Sequence, residues 1–154
     1  FRRVLFRSFL RRMAEAEITT VVLGDTRDLV LEETSAHVAI VGTEYPVRMA
    51  LAFSQLADVV VGTESMILNS VASMPMLKIA LLSHSSAENF TKHWANTLTL
   101  GAAKLACHPC HRIHQDLAFC SKDKNTGHAA CMASYGPDFV ADQVLAHVRQ
   151  AEMA

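Results

Sequence analysis

The chain predicts an α/β fold of the Rossmann-like kind, a parallel sheet with helices on both faces. Three observations point there. Short apolar runs without polar alternation recur, at Thr20 to Leu23, Val38 to Val41, Val59 to Val61 and Leu77 to Leu82, as expected of strands buried in a parallel sheet. Stretches of helical period lie between them, which is the strand–helix alternation of a doubly wound sheet. Gly24, Gly42, Pro46, Gly62 and Pro75 punctuate the boundaries.

Composition sets the outer limits. With 154 residues, 51% of them apolar, and a net charge of -1, the chain suits one globular domain with a sizeable core. No apolar run approaches the roughly 20 residues of a membrane helix. Near-neutral charge gives no reason to expect nucleic acid or anionic lipid as a partner. The opening Phe1 to Ser8 lacks a long apolar core and a small-residue cleavage site, so it makes a poor signal peptide. It has the look of a translated adapter, and residues 1–8 are expected to be a non-native leader to a domain over 9–154.

Phe9 to Ala16 is expected to be helical and Thr20 to Leu23 a strand ended by Gly24-Asp25. Asp28 to Thr34 reads as a short helix, and Val38 to Gly42 as the next strand. Pro46 suits the first position of a helix that runs to Leu56 with Val47, Ala50, Leu51 and Ser54 on one side. Val59 to Val61 then forms a strand expected to be buried on both faces and broken by Gly62. Ile67, Val71 and Met74, with Leu68 and Ala72 beside them, make the apolar face of a covering helix that Pro75 stops. Leu77 to Leu82 returns as a parallel strand, since a crossover of this length leaves little else. Ser85 with Glu88 forms a capping box for a helix through Trp94. Pro137 to Gln150 closes the chain as a helix, with Phe139, Val140, Val144, Leu145 and Val148 as its expected core face.

Because ligands of open α/β sheets bind outside the carboxyl ends of the strands, the loops Gly62-Thr63-Glu64-Ser65 and Ser83-His84-Ser85-Ser86 are the default site. Ser65 can cap the following helix, whose first N–H groups favour an anion. Glu64 would repel a phosphate and is better suited to accept from sugar or ribose hydroxyls. Asn69, one turn on, can reach back over the loop with both a donor and an acceptor. The plain alternative is a capping Ser65, a solvated Glu64 and a surface Asn69. No G-x-G-x-x-G and no Walker loop is present, so the usual dinucleotide and nucleoside-triphosphate readings lack their phosphate cradles.

Ala57-Asp58-Val59-Val60-Val61-Gly62-Thr63-Glu64-Ser65, with Asn69 and Ala72 following, resembles the donor-site motif of the heptosyltransferase-like glycosyltransferases of family 9. The likeness continues through Leu81 to Ser86, Trp94, Cys107-His108-Pro109-Cys110, Cys120, Cys131-Met132 and the closing Pro137 helix. Glu64 stands where the family often has Asp, Ser65 where it has Thr, Met66 where Gly is common and Asn69 where His is common. The resemblance implies the C-terminal, sugar-nucleotide-binding domain of a two-domain GT-B enzyme, truncated at its N-terminus. The donor would be a nucleotide diphosphate carrying a heptose-like sugar, held by Gly62, Thr63, Glu64, Ser65, Asn69, Ser83, His84 and Ser85. The acceptor would be a glycan or a lipid-linked, lipopolysaccharide-type molecule, met in the cytoplasm at the inner face of the membrane. No cofactor is required and no catalytic residue is assigned. The N-terminal domain, with the general base, is expected to be missing, as are the first strand of the C-terminal domain and its basic phosphate-contacting loop, and the chain alone is expected to be inactive.

The Cys/His-rich segment at residues 105–132 holds all four cysteines of the chain: Cys107, Cys110, Cys120 and Cys131. Such spacing can close a tetrahedral zinc site, with His108, His111, His114 and His128 as spare ligands. Reduced or redox-variable thiols also fit the spacing, and a cytosolic location argues against the remaining alternative of disulfides. The second functional class is accordingly a non-catalytic α/β module with a structural Cys/His metal site, acting through partner contacts.

Overall fold

A computed structural model describes residues 2–24, 37–41, 46–102, 104–112 and 120–153. The chain divides into two compact units, Phe1–Phe53 with Gly136–Ala154, and Ser54–Tyr135. Both are α/β, with parallel strands and flanking helices, as the sequence predicts.

In the first unit, helix α1 (Arg2–Glu15) leads to strand β1 (Thr20–Gly24), which pairs in parallel with β2 (His37–Val41), Thr20 opposite His37. The helix starts well before Phe9, so residues 2–8 continue it. The helix expected over 28–34 and the ends of the loops around it lie outside the described residues. Pro46 precedes helix α2 (Val47–Gln55) and caps it, its carbonyl accepting from the Met49 N–H at 2.9 Å. At the far end of the chain, Pro137 opens the long helix α6 (Pro137–Glu152).

Helix α6 buries Val140, Ala141 and Val144, and α1, which packs on it, buries Phe9, Leu10 and Met13. Arg12 fastens the pair, donating to the Asp138 carbonyl at 2.9 Å and to Asp142 Oδ1 at 2.7 Å. Phe139, expected in the core, is 51% exposed, two residues and so about 200° round the helix from the fully buried Ala141.

The second unit holds three parallel strands in the order β3 (Val59–Thr63), β4 (Leu77–Leu82), β5 (Thr97–Gly101). Val59 pairs with Leu77 and Lys78 with Thr97. The strand buried on both faces is β4, all six residues of it, whereas only Val60 of β3 is fully buried. Position explains the difference: β4 is central and β3 lies at the side of this three-stranded sheet. Gly62 does not break β3 but pairs with Ala80 inside it.

The connecting helices are shorter than periodicity suggests. Helix α3 (Met66–Ser70) ends early because Ser70 Oγ donates to the Ile67 carbonyl at 2.6 Å, and the next N–H groups close tighter i→i−3 turns, Ala72 to Asn69 and Met74 to Val71. Leu68 and Val71 still supply its buried face. Helix α4 (Ala87–Phe90) is capped by Ser86, not Ser85, with Ser86 Oγ accepting from the Asn89 N–H. The Ser85 backbone N–H donates to Glu64, and Glu88 pairs with Lys92 one turn on instead of reaching back to the cap. Val60, Leu68, Val71, Ala80 and Leu82 form the core on this face, with Phe90 and Trp94 stacked against it at 4.7 Å between ring centres. The short helix α5 (Ala130–Ala133) packs on β4.

Lys78 is the exception in this core. It is 0% exposed, and its ammonium donates to the Met74 carbonyl. Burial lowers its pKa from the ordinary lysine range.

Candidate functional site

The loops that follow β3 and β4 meet at the carboxyl ends of the two strands, and Glu64 holds them together. Its Oε1 accepts from three successive backbone N–H groups, Ser83 at 2.8 Å, His84 at 2.9 Å and Ser85 at 3.0 Å. Its Oε2 accepts from Ser83 Oγ at 2.8 Å. Three consecutive amides converging on one oxygen form an anion-binding nest, filled here by the protein's own carboxylate. The Glu64 side chain is only 5% exposed. Burial pushes its pKa up, but the N–H donors of Ser85, Glu64 itself and His84, with the Ser83 hydroxyl, outweigh burial and hold it below its ordinary value of 4.5. Glu64 is therefore the clamp of the double loop and neither solvated nor loosely placed.

His84 extends the network. Its Nδ1 lies 3.2 Å from Ser83 Oγ and 3.4 Å from Glu64 Oε1. Since Ser83 Oγ gives its proton to Glu64, its remaining role toward Nδ1 is acceptor, and a neutral His84 then carries the proton on Nδ1 and a lone pair on Nε2. On the other loop, Ser65 caps α3, accepting from the Leu68 N–H at 3.3 Å, and Asn69 Nδ2 donates back to the Ser65 carbonyl at 3.0 Å. Thr63 ends β3 opposite Leu81. A Cβ on Gly62 would stand 3.9 Å from Ser65 Oγ, an ordinary contact, so the glycine is not imposed by space. The structure thus gathers Glu64, Ser83, His84 and Ser85 into one network and Ser65 with Asn69 into a second, at adjacent strand ends.

The cysteine segment folds back on the same strand ends. Cys107, Cys110, Cys120 and Cys131 line a single cavity of about 30 Å³ together with Ser83, His108 and Ser121. All four carry free thiols. Burial raises the pKa of Cys131, and the neighbouring Cys120 and Cys107 add to that. His111 N–H donates to the His84 carbonyl at 2.8 Å, and Ser83 belongs both to the cavity wall and to the Glu64 clamp. Among the described residues, no three of the His, Cys, Asp and Glu side chains stand at coordinating separations. His114 lies outside the described residues.

Known proteins offer no guide to this geometry. No protein family, curated protein or solved structure matches the chain. Among the described residues, no helix is long and apolar enough to cross a membrane.

Two residues of this region escape sequence reasoning. Tyr135, 6% exposed, reaches from the end of the cysteine segment to the carbonyls of Leu82 at 2.5 Å and Leu100 at 2.8 Å. Burial, with Cys131 and Glu64 nearby, pushes its phenol well above the ordinary range. Nothing local marks it, since its partners are 53 and 35 residues away. Lys78 did carry a signal, as a charge set inside the apolar run Leu77 to Leu82.

Proposed function

We propose that this chain is the donor-binding domain of a glycosyltransferase that moves a heptose-like sugar from a nucleotide diphosphate to a glycan or lipopolysaccharide-type acceptor in the cytoplasm. The observation that carries the reading is the Glu64 clamp, which makes one rigid platform of the two loops at the carboxyl ends of parallel strands. The likeness of residues 57–72 to the donor motif of family 9 supplies the ligand class.

The clamp also redistributes the roles within the site. The amides of Ser83, His84 and Ser85 are taken by Glu64, so side chains supply the contacts to a donor. His84 Nε2 is an acceptor for a sugar or ribose hydroxyl, and Thr63 and Asn69, at the end of the adjacent strand and on the helix that follows it, would orient the ligand. Glu64 acts through His84 and the loop as a positioning residue. Donor binding is the task these loops can serve, and the acceptor and general base would come from another domain.

Calorimetric titration with nucleoside diphosphates of each base, and with their sugar conjugates, tests this. Saturable binding by one of them is expected, weakened about tenfold, or about 1.4 kcal/mol, in His84→Ala at unchanged melting temperature. A folded protein that binds none of them would sink the proposal.

A further inference from the structure

All four cysteines of the chain line one cavity, and local folding brings them there in two pairs. Of the first pair, Cys107 sits in a turn closed by the His108 N–H to the Leu105 carbonyl at 3.0 Å, and Cys110 follows that turn. Just beyond Cys110 the chain is fixed to the loop after β4 by the His111 N–H on the His84 carbonyl. The second pair is set by a hairpin. Lys122 bridges Ala129 in antiparallel register, the Ala130 N–H donates to the Ser121 carbonyl at 2.8 Å, and the Asp123 N–H donates to the His128 carbonyl at 2.8 Å. Cys120 and Cys131 thus flank the paired ends of the hairpin and both line the cavity. The hairpin tip is locked by Asp123 Oδ1, which accepts from Thr126 N at 2.8 Å and Asn125 N at 3.2 Å, with Gly127 at a φ of +70°. Cys131 itself lies in the first turn of α5.

The size and lining of the cavity narrow the occupant. At about 30 Å³ it has room for something of the size of one water or ion, far below the roughly 300 Å³ from which organic ligand pockets begin. Its wall offers four thiols and, from His108, a buried Nε2 that has no hydrogen-bond partner among the described residues. A buried unpartnered imidazole nitrogen costs stability. A thiolate centre would give it a sulfur to donate to, which is the usual support of such ligands.

We propose that Cys107, Cys110, Cys120 and Cys131 bind one thiophilic divalent cation of the zinc class, in a structural site that cross-links the two arms of the cysteine segment beside the loop after β4. Each sulfur binds as thiolate, so loading the ion releases four thiol protons to solvent and leaves a tetrahedral centre with a net charge of about −2. Closing on the ion draws the sulfurs, which do not stand at coordinating separations as free thiols, to about 2.3 Å from the metal and roughly 3.8 Å from each other. His108 Nε2 donates to one of them. The site stands apart from the donor reading, because neither the residues nor the ion are asked to touch a nucleotide.

The whole chain, purified without chelator and under reducing conditions, is analysed by native mass spectrometry and elemental analysis, then exchanged with Co²⁺. One zinc per chain is expected, with a thiolate-to-cobalt charge-transfer band and the visible bands of tetrahedral Co²⁺ after exchange. Thiol reagents should find four reactive sulfurs only after a chelator is added. Cys120→Ser and Cys131→Ser should each lose the cobalt spectrum, and should these variants fail to fold, the wild-type spectrum and thiol count decide alone. Four reactive thiols in protein offered Zn²⁺ or Co²⁺, or the mass loss of two disulfides in the reduced preparation, would overturn the site. So would a cobalt spectrum that both serine variants retain.

Discussion

Replacing Glu64 with alanine removes the acceptor of three backbone N–H groups and one hydroxyl at once. Each charge-assisted hydrogen bond contributes about 1.5–3 kcal/mol, but the four share one carboxylate and water can enter part of the gap, so the losses do not add. The expected cost is about 3–4 kcal/mol. Glu64→Gln keeps one oxygen for the amides and turns charged bonds into neutral ones, at about 1–2 kcal/mol. For a chain of this size those values lower the melting temperature on the order of 10 °C for alanine and about 4 °C for glutamine. The comparison has a pH signature. Because folding depresses the Glu64 pKa, its stabilisation is complete above the ordinary value of 4.5 and is lost as pH falls through the lower folded-state value. The gap between wild type and Glu64→Gln should therefore be constant from neutral pH down to about 4.5 and close in more acid solution. Thermal scans at a series of pH values read this directly. A Glu64→Ala variant that melts within a degree of wild type would mean that the clamp contributes nothing, and with it the rigid platform on which the donor reading rests.

Lys78→Met should stabilise the protein by about 1–2 kcal/mol, since it replaces a buried ammonium by an apolar chain of similar length. The depressed lysine pKa costs stability fully below the folded-state value and the cost vanishes as pH rises past 10.5, so the gain should shrink in alkali; a lower melting temperature in the variant would refute this. Tyr135→Phe leaves the Leu82 and Leu100 carbonyls without their donor and should cost about 1–3 kcal/mol in chemical denaturation, with an unchanged midpoint counting against the tether. Ile79→Ala, at a fully buried position of the central strand, should cost about 2–5 kcal/mol, and a loss under 1 kcal/mol would show that the strand is less tightly packed than its burial indicates.

What the sequence determined by itself was the alternation of elements and the places where chemistry gathers. Apolar runs such as Leu77 to Leu82 and the Pro137 start of the last helix are legible because strand burial and proline's fixed φ act within a few residues. Ser65 as a cap and Asn69 reaching back to it belong to the same local class. The spacing of the cysteines announced a cluster without saying what it was for. Tertiary structure alone decided which strand is central, and so made β4 and not β3 the one buried on both faces. It likewise put the helix cap on Ser86, with the Ser85 backbone N–H held in the Glu64 clamp. Phe139 was turned out of the core by the packing of a helix more than a hundred residues away in sequence. The physical reason is common to all three. Periodicity and capping depend on near neighbours, whereas the partner of a carboxylate, the side of a sheet and the face of a helix are set by residues that only folding brings close, as it does Glu64 to Ser83, 19 positions on, and Tyr135 to Leu82, 53 positions back.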